Sequence, residues 1–116
     1  MADNVKIDVV IDGNNDTTWA TSDAAIADID AAFAAAGVTP ILEQQVTAGN
    51  MTVAHTLVDN NTIKYTYTWS DANLVGPFFR DADFSATNGV VETNDWAAQG
   101  TVTFLNNQTQ TFNLGG

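Results

Sequence analysis

A twelve-residue stretch beginning at Asp12 has the spacing most suggestive of chemistry in this chain. In Asp12-Gly13-Asn14-Asn15-Asp16-Thr17-Thr18-Trp19-Ala20-Thr21-Ser22-Asp23, side-chain oxygens stand at the first, third, fifth and twelfth positions, on Asp12, Asn14, Asp16 and Asp23. Oxygen donors so spaced can wrap a hard cation such as calcium. The departures from such a loop are serious. Thr17 stands where the loop turns on glycine, Asp23 is shorter than the glutamate that closes it, and a strand precedes it instead of a helix. Asx turns at Asp12 and Asn14, with a helix cap at Ser22 or Asp23, account for the same residues. The expectation is therefore an ordered turn without metal or cofactor.

The remaining reactive groups are few. The chain has no cysteine, one histidine (His55), two lysines (Lys6, Lys64) and one arginine (Arg80), against 14 carboxylates, for a net charge of −11. His55 has no second histidine or cysteine to complete a metal site or a nucleophile–base pair. Paired carboxylates occur at Asp28/Asp30 and Asp81/Asp83. The first two diverge on a helix and the others read as a charged turn, so neither pair predicts a glycosidase cleft. The reading is non-enzymatic. A body this acidic repels phosphate, and three scattered cations form no basic stripe, which excludes nucleic acid. No apolar run approaches membrane-spanning length. The start Met1-Ala2-Asp3-Asn4-Val5-Lys6 lacks the basic-then-apolar pattern of a secretory leader.

Binding is the better-supported class. Trp19, Trp69 and Trp96, with Tyr65 and Tyr67, could stack on sugar rings, as in a carbohydrate-binding or adhesion module. The period-two stripe Tyr65, Tyr67, Trp69 matches a buried sheet face better. Segment 74–79 is the candidate protein contact. Leu74 and Val75 precede Gly76-Pro77, and Phe78 and Phe79 follow side by side. Adjacent rings on an extended strand point to opposite faces, so one of them needs a partner surface.

These residues must be carried by a scaffold that the patterning outlines. Val5, Ile7, Val9 and Ile11 alternate as a strand over 5–11. An Ala-rich helix follows, with Thr21 or Ser22 as N-cap, Ile26, Ile29 and Phe33 on one face, and Gly37 then Pro40 ending it. Strands are expected over 41–47, 51–58 and 62–69, with turns at 48–50 and 59–61. Asn88-Gly89 predicts a type I′ hairpin joining strands 84–87 and 90–93. A last hairpin over 101–105 and 109–114, with a three-residue loop at 106–108, places Val102, Phe104, Phe112 and Leu114 on one face.

The sum is one domain over residues 1–116 of mainly antiparallel α+β type. It reads as a sandwich or partly open barrel of about seven to eight strands with one Ala-rich helix near the N-terminus. In style (short, cysteine-free, acidic, rich in Thr, Asn and Ala, β-rich with one helix) the chain resembles the small accessory structural proteins of tailed-phage virions, such as capsid decoration or cement proteins. That resemblance implies a virion protein made in the host cytoplasm. It would be attached in many copies to a capsid or tail lattice, or to like subunits, and it transfers no family residue.

Overall fold

The computed structural model describes residues 5–13, 17–71, 84–104 and 107–115. It is α+β and mainly antiparallel, with five strands in one open sheet and three helices among the described residues. Strand β1 (Lys6–Asp12) lies at the centre. It pairs antiparallel with β3 (Thr62–Trp69) on one side and β4 (Ala97–Thr103) on the other. Strands β2 (Met51–Asp59) and β5 (Thr109–Gly115) form the edges, giving the order β2-β3-β1-β4-β5. Helices α1 (Ser22–Ala36), α2 (Ile41–Thr47) and α3 (Phe84–Thr93) close over one face.

Alternation decides which side chains lie under the helices. Val5, Ile7, Val9 and Ile11 are buried, as are Ile63, Tyr65, Tyr67 and Trp69, while Thr62, Thr66 and Thr68 face the other way and are half-buried. Ala25, Ile29 and Phe33 of α1 complete the core, with Ile26 and Ala32 packed at its margin. Burial of one large apolar side chain contributes roughly 1.5–3 kcal/mol, so the β1–β3 stripe and the α1 face dominate stability. Thr21 caps α1 by accepting from the Ala24 N–H at 3.1 Å. Gly37, at φ 70°, ends it in the left-handed conformation that glycine adopts without steric cost.

Two expectations fail, and they explain the strand count. Residues 41–47 form helix α2 instead of a strand. Pro40 does stop α1, but it also supplies the N-cap of a new helix, with φ −54°. Ile41 and Leu42 are adjacent and both buried, which a strand cannot arrange. The 84–93 hairpin is helix α3. Thr87, Val90 and Val91 fall at i, i+3 and i+4, and all are buried. A hairpin would have turned Val90 or Val91 to water. Gly89 lies inside the helix without the positive φ that a type I′ turn requires. With those three strands recast as helices, neither a sandwich nor a barrel closes.

The final hairpin keeps its faces but shifts its pairing. Phe112 lies opposite Gly100 instead of Val102, and Thr103 pairs with Thr109. The Phe104 N–H donates to the Gln108 carbonyl at 2.9 Å, and Asn107 sits at φ 65°. Val102 and Leu114 are buried, with Phe104 and Phe112 packed beside them. The Phe112 ring crosses Gly100 so closely that a Cβ there would lie 2.3 Å from its Cζ. β4 begins at Ala97, ahead of the expected Thr101.

Candidate functional site

Gly13 and Trp19, on either side of residues 14–16, are held by hydrogen bonds to the β2–β3 turn. The Gly13 N–H donates to the Asn61 carbonyl at 2.8 Å, and the Trp19 N–H to the Asn60 carbonyl at 2.7 Å. Asp12 Oδ1 accepts from the Thr62 hydroxyl at 2.7 Å, and Asp23 lies exposed in the first turn of α1. Asn14 and Asp16 lie outside the described residues. Among the described residues, no group of three or more His, Asp or Glu side chains could hold a metal ion. Leu74, Val75, Phe78 and Phe79, the expected protein contact, lie outside the described residues, as do Asp81 and Asp83.

The aromatic residues that a sugar-binding module would display are buried. Trp19, Trp69, Trp96, Tyr65 and Tyr67 all belong to the core. Trp19 packs edge-on against Trp96, with ring centres 6.5 Å apart, and its Nε1–H donates to Asp28 Oδ2 at 3.0 Å. Asp28 is thus tied to the core, while Asp30 on the same helix is not its partner in a cleft. His55, half-buried on β2, meets Tyr65 edge-on at 4.6 Å.

Two features then stand out, one on each side of the sheet. On the helix side a cavity of about 40 Å³ lies under α1 and α2. Its walls are largely apolar, with Asp30, Glu43, Tyr65, Tyr67 and Thr87 as the polar exceptions. Most of these are satisfied. The Tyr67 hydroxyl donates to Glu43 Oε1 at 2.8 Å, and Thr87 Oγ1 accepts from the Ile41 N–H at 3.1 Å, docking the start of α2. The Tyr65 hydroxyl is buried with no hydrogen-bond partner. Burial pushes both phenols well above their usual range, and the negative charges of Asp30 and Glu43 push them further.

On the opposite side lies the open face, where register sets threonines in rows. Thr52, Thr68, Lys6, Thr103 and Thr109 cross the five strands in one row, and Ala54, Thr66, Asp8, Thr101 and Thr111 in the next. Lys64 and Val10 follow, between Thr56 and Gln99. Thr66 donates to Asp8 at 2.8 Å, as Thr62 does to Asp12, which pins both carboxylates to the sheet. Lys6 and Lys64 offset Asp8 and Asp12, and Asp59 opposite Thr62 at the edge adds a third carboxylate, so this face carries little net charge. The helices and the turn after α3 carry Asp23, Asp28, Asp30, Glu43, Glu92 and Asp95, with no lysine or arginine among their residues.

No family model, curated protein or solved structure matches the chain. The geometry alone therefore carries the functional reading. Strand by strand, each Thr is only the outward half of an alternation, and cross-strand register is what gathers them into a face. The cavity exists only because residues 41–47 are a helix and not a strand.

Proposed function

We propose that the chain is a non-enzymatic structural subunit of the accessory virion kind, docking in repeated copies on a protein lattice through the open face of its sheet. The observation that carries this reading is the segregation of charge. A body with a net charge of −11 repels an acidic neighbour from most directions. The open face carries little net charge, with Asp8, Asp12 and Asp59 against Lys6 and Lys64, and it is ruled by threonines whose β-branched side chains have little rotamer freedom to lose on contact. Each threonine offers a methyl group and a hydroxyl, a mixture suited to the packed yet partly polar contact of a protein interface. Segment 74–79, with Leu74, Val75, Phe78 and Phe79, remains the expected apolar anchor by its sequence.

The chain has two lysines, Lys6 and Lys64, and both lie on the open face, which makes them reporters. Amine acetylation read by peptide mass spectrometry compares the free chain with the chain carried in particles from its source. Docking through this face lowers labelling of both lysines at least about fivefold, while electron micrographs show the chain in a repeating pattern. Equal labelling in both states, or absence of the chain from any repeating assembly, overturns the reading.

A further inference from the structure

We propose that the cavity under α1 and α2 binds a short primary alkylammonium ion, with Asp30 and Glu43 receiving its charge and the Tyr65 hydroxyl taking one of its N–H groups. This is a ligand site separate from the docking face and lies on the other side of the sheet. The decisive feature is Tyr65. It is only 5% exposed, lines the cavity, and its hydroxyl has no partner. A buried polar atom left unpaired is costly, and nearly all such atoms in folded proteins are satisfied. Something that hydrogen-bonds to Tyr65 therefore belongs in this cavity.

The surroundings say what kind of group it is. Asp30 is exposed and Glu43 half-buried, and both line the cavity, so its mouth is negative. That excludes an anion. Only one oxygen of Glu43 accepts from Tyr67, which leaves the other for a ligand. Calcium or magnesium takes six or more oxygen donors and would find two carboxylates and a phenol held protonated by burial, and no histidine or cysteine lines the cavity for zinc. A quaternary ammonium carries charge but has no N–H for the phenol oxygen. A primary ammonium has three, enough for Asp30, Glu43 and Tyr65 together. Its carbon chain then lies against Ile29, Phe33, Ile41 and Leu42. The stacked rings of Tyr65 and Tyr67, 6.0 Å apart, add an aromatic surface that favours a cation. The volume of about 40 Å³ limits the ligand to a few heavy atoms, as in ethyl- or propylammonium.

The test is a calorimetric and NMR titration of the intact chain with n-propylammonium chloride at neutral pH. A ligand this small is confined to roughly the high-micromolar to millimolar range. Saturable binding is expected there, with shifts confined to residues around the cavity. Neutral 1-propanol and tetramethylammonium should each bind at least about tenfold more weakly. Tyr65→Phe keeps the shape and removes the hydroxyl, and should weaken propylammonium about fivefold or more. Asp30→Asn, at an exposed position that leaves the fold intact, should do the same. Binding of 1-propanol as tight as that of the ammonium overturns the proposal, as does unchanged affinity in Tyr65→Phe or no saturation at all. In either of the first two outcomes the cavity holds water or any small neutral molecule.

Discussion

Replacing Tyr65 and Tyr67 by phenylalanine, one at a time, separates two hydroxyls that differ by one hydrogen bond. The chain has only these two tyrosines, neighbours on the same buried stripe of β3. The Tyr67 hydroxyl donates to Glu43, whereas that of Tyr65 has no partner. A hydrogen bond to a charged group contributes about 1.5–3 kcal/mol. Glu43 is half-buried and rehydrates when the phenol is removed, so Tyr67→Phe should cost about 1–1.5 kcal/mol. Tyr65→Phe removes a buried donor that nothing receives, and should be neutral or stabilising by up to about 1 kcal/mol. For a chain of this length, 1 kcal/mol is about 3–6 °C in Tm.

The same pair has an alkaline signature of defined sign. In the unfolded chain both phenols ionise near pH 10. In the folded chain burial, aided by Asp30 and Glu43, holds both protonated well above that value. Above about pH 10 the folded state therefore binds more protons than the unfolded one, and stability falls as pH rises. Each phenol contributes a slope of at most about 1.4 kcal/mol per pH unit, and neither contributes below pH 10. Urea denaturation followed by tryptophan fluorescence, from pH 8 to about 11.5, reads both effects. The slope should be steepest in the native chain, shallower in each single variant, and lost in the double variant. If Tyr65→Phe destabilises as much as Tyr67→Phe at pH 8, Tyr65 has a partner, and the reasoning about the cavity fails with it.

Other substitutions test separate parts of the structure. Gly89→Ala should stabilise by about 0.5–1 kcal/mol in thermal melts, because Gly89 is exposed within α3 and an added Cβ meets nothing within 4 Å; a loss of stability would favour a turn at that position. Gly100→Ala should destabilise by about 1–3 kcal/mol in urea titrations, because its Cβ collides with the Phe112 ring unless the ring leaves the core margin. Phe78→Ala and Phe79→Ala, made separately, should weaken assembly in one case with the chain still folded; if both lower Tm and leave assembly unchanged, the rings belong to the core. Raising salt from low to about 0.5 M should strengthen docking on an acidic or neutral lattice measured by co-sedimentation, because it screens repulsion from the carboxylates; weakening would mean that the partner's cations drive the contact.

Where one face of an element is clearly apolar, the sequence was readable. Ile63, Tyr65, Tyr67 and Trp69 alternate without a break, and all four are buried. Thr21 and Gly37 mark the ends of α1 by the chemistry that terminates helices. The failures lie where local preference and tertiary packing disagree. Asn88-Gly89 and Val90-Val91 each favour turn or strand by themselves, yet burying both valines and Thr87 on one helical face overrides them. In α2, Ile41 and Leu42 are fixed by contacts the local pattern does not contain, among them the bond from the Ile41 N–H to Thr87, 46 residues away. The candidate sites were hidden for the same reason. The threonine rows need the register of all five strands, and the cavity needs α2 to be a helix. In the segment from Asp12 to Asp23 the cap is Thr21 and not Ser22 or Asp23, and Asp12 accepts from Thr62 across the sheet; at Gly13 an added Cβ would lie 2.6 Å from Thr17 Cγ2.

The sheet also explains why the two proposed sites do not compete. Strict alternation sends Tyr65 and Tyr67 toward the helices and Lys64, Thr66 and Thr68 toward the open face, so one strand serves both. Six carboxylates on the helices and the turn after α3 make that side a poor surface for an acidic neighbour. The same charge makes it a favourable place for a small cation, whose binding would neutralise part of it. Across β3 the charges are mixed and nearly cancel. Asp8 and Asp12 are each held by a threonine hydroxyl directly opposite, and Lys6 and Lys64 lie in the adjoining rows. A macromolecular partner therefore meets least electrostatic resistance at the threonine face, and a small cation gains most beneath α1 and α2. Because the β1–β3 core lies between them and is packed by Ile7, Ile63 and Trp69 without exposed area, occupancy of one site need not displace a residue of the other.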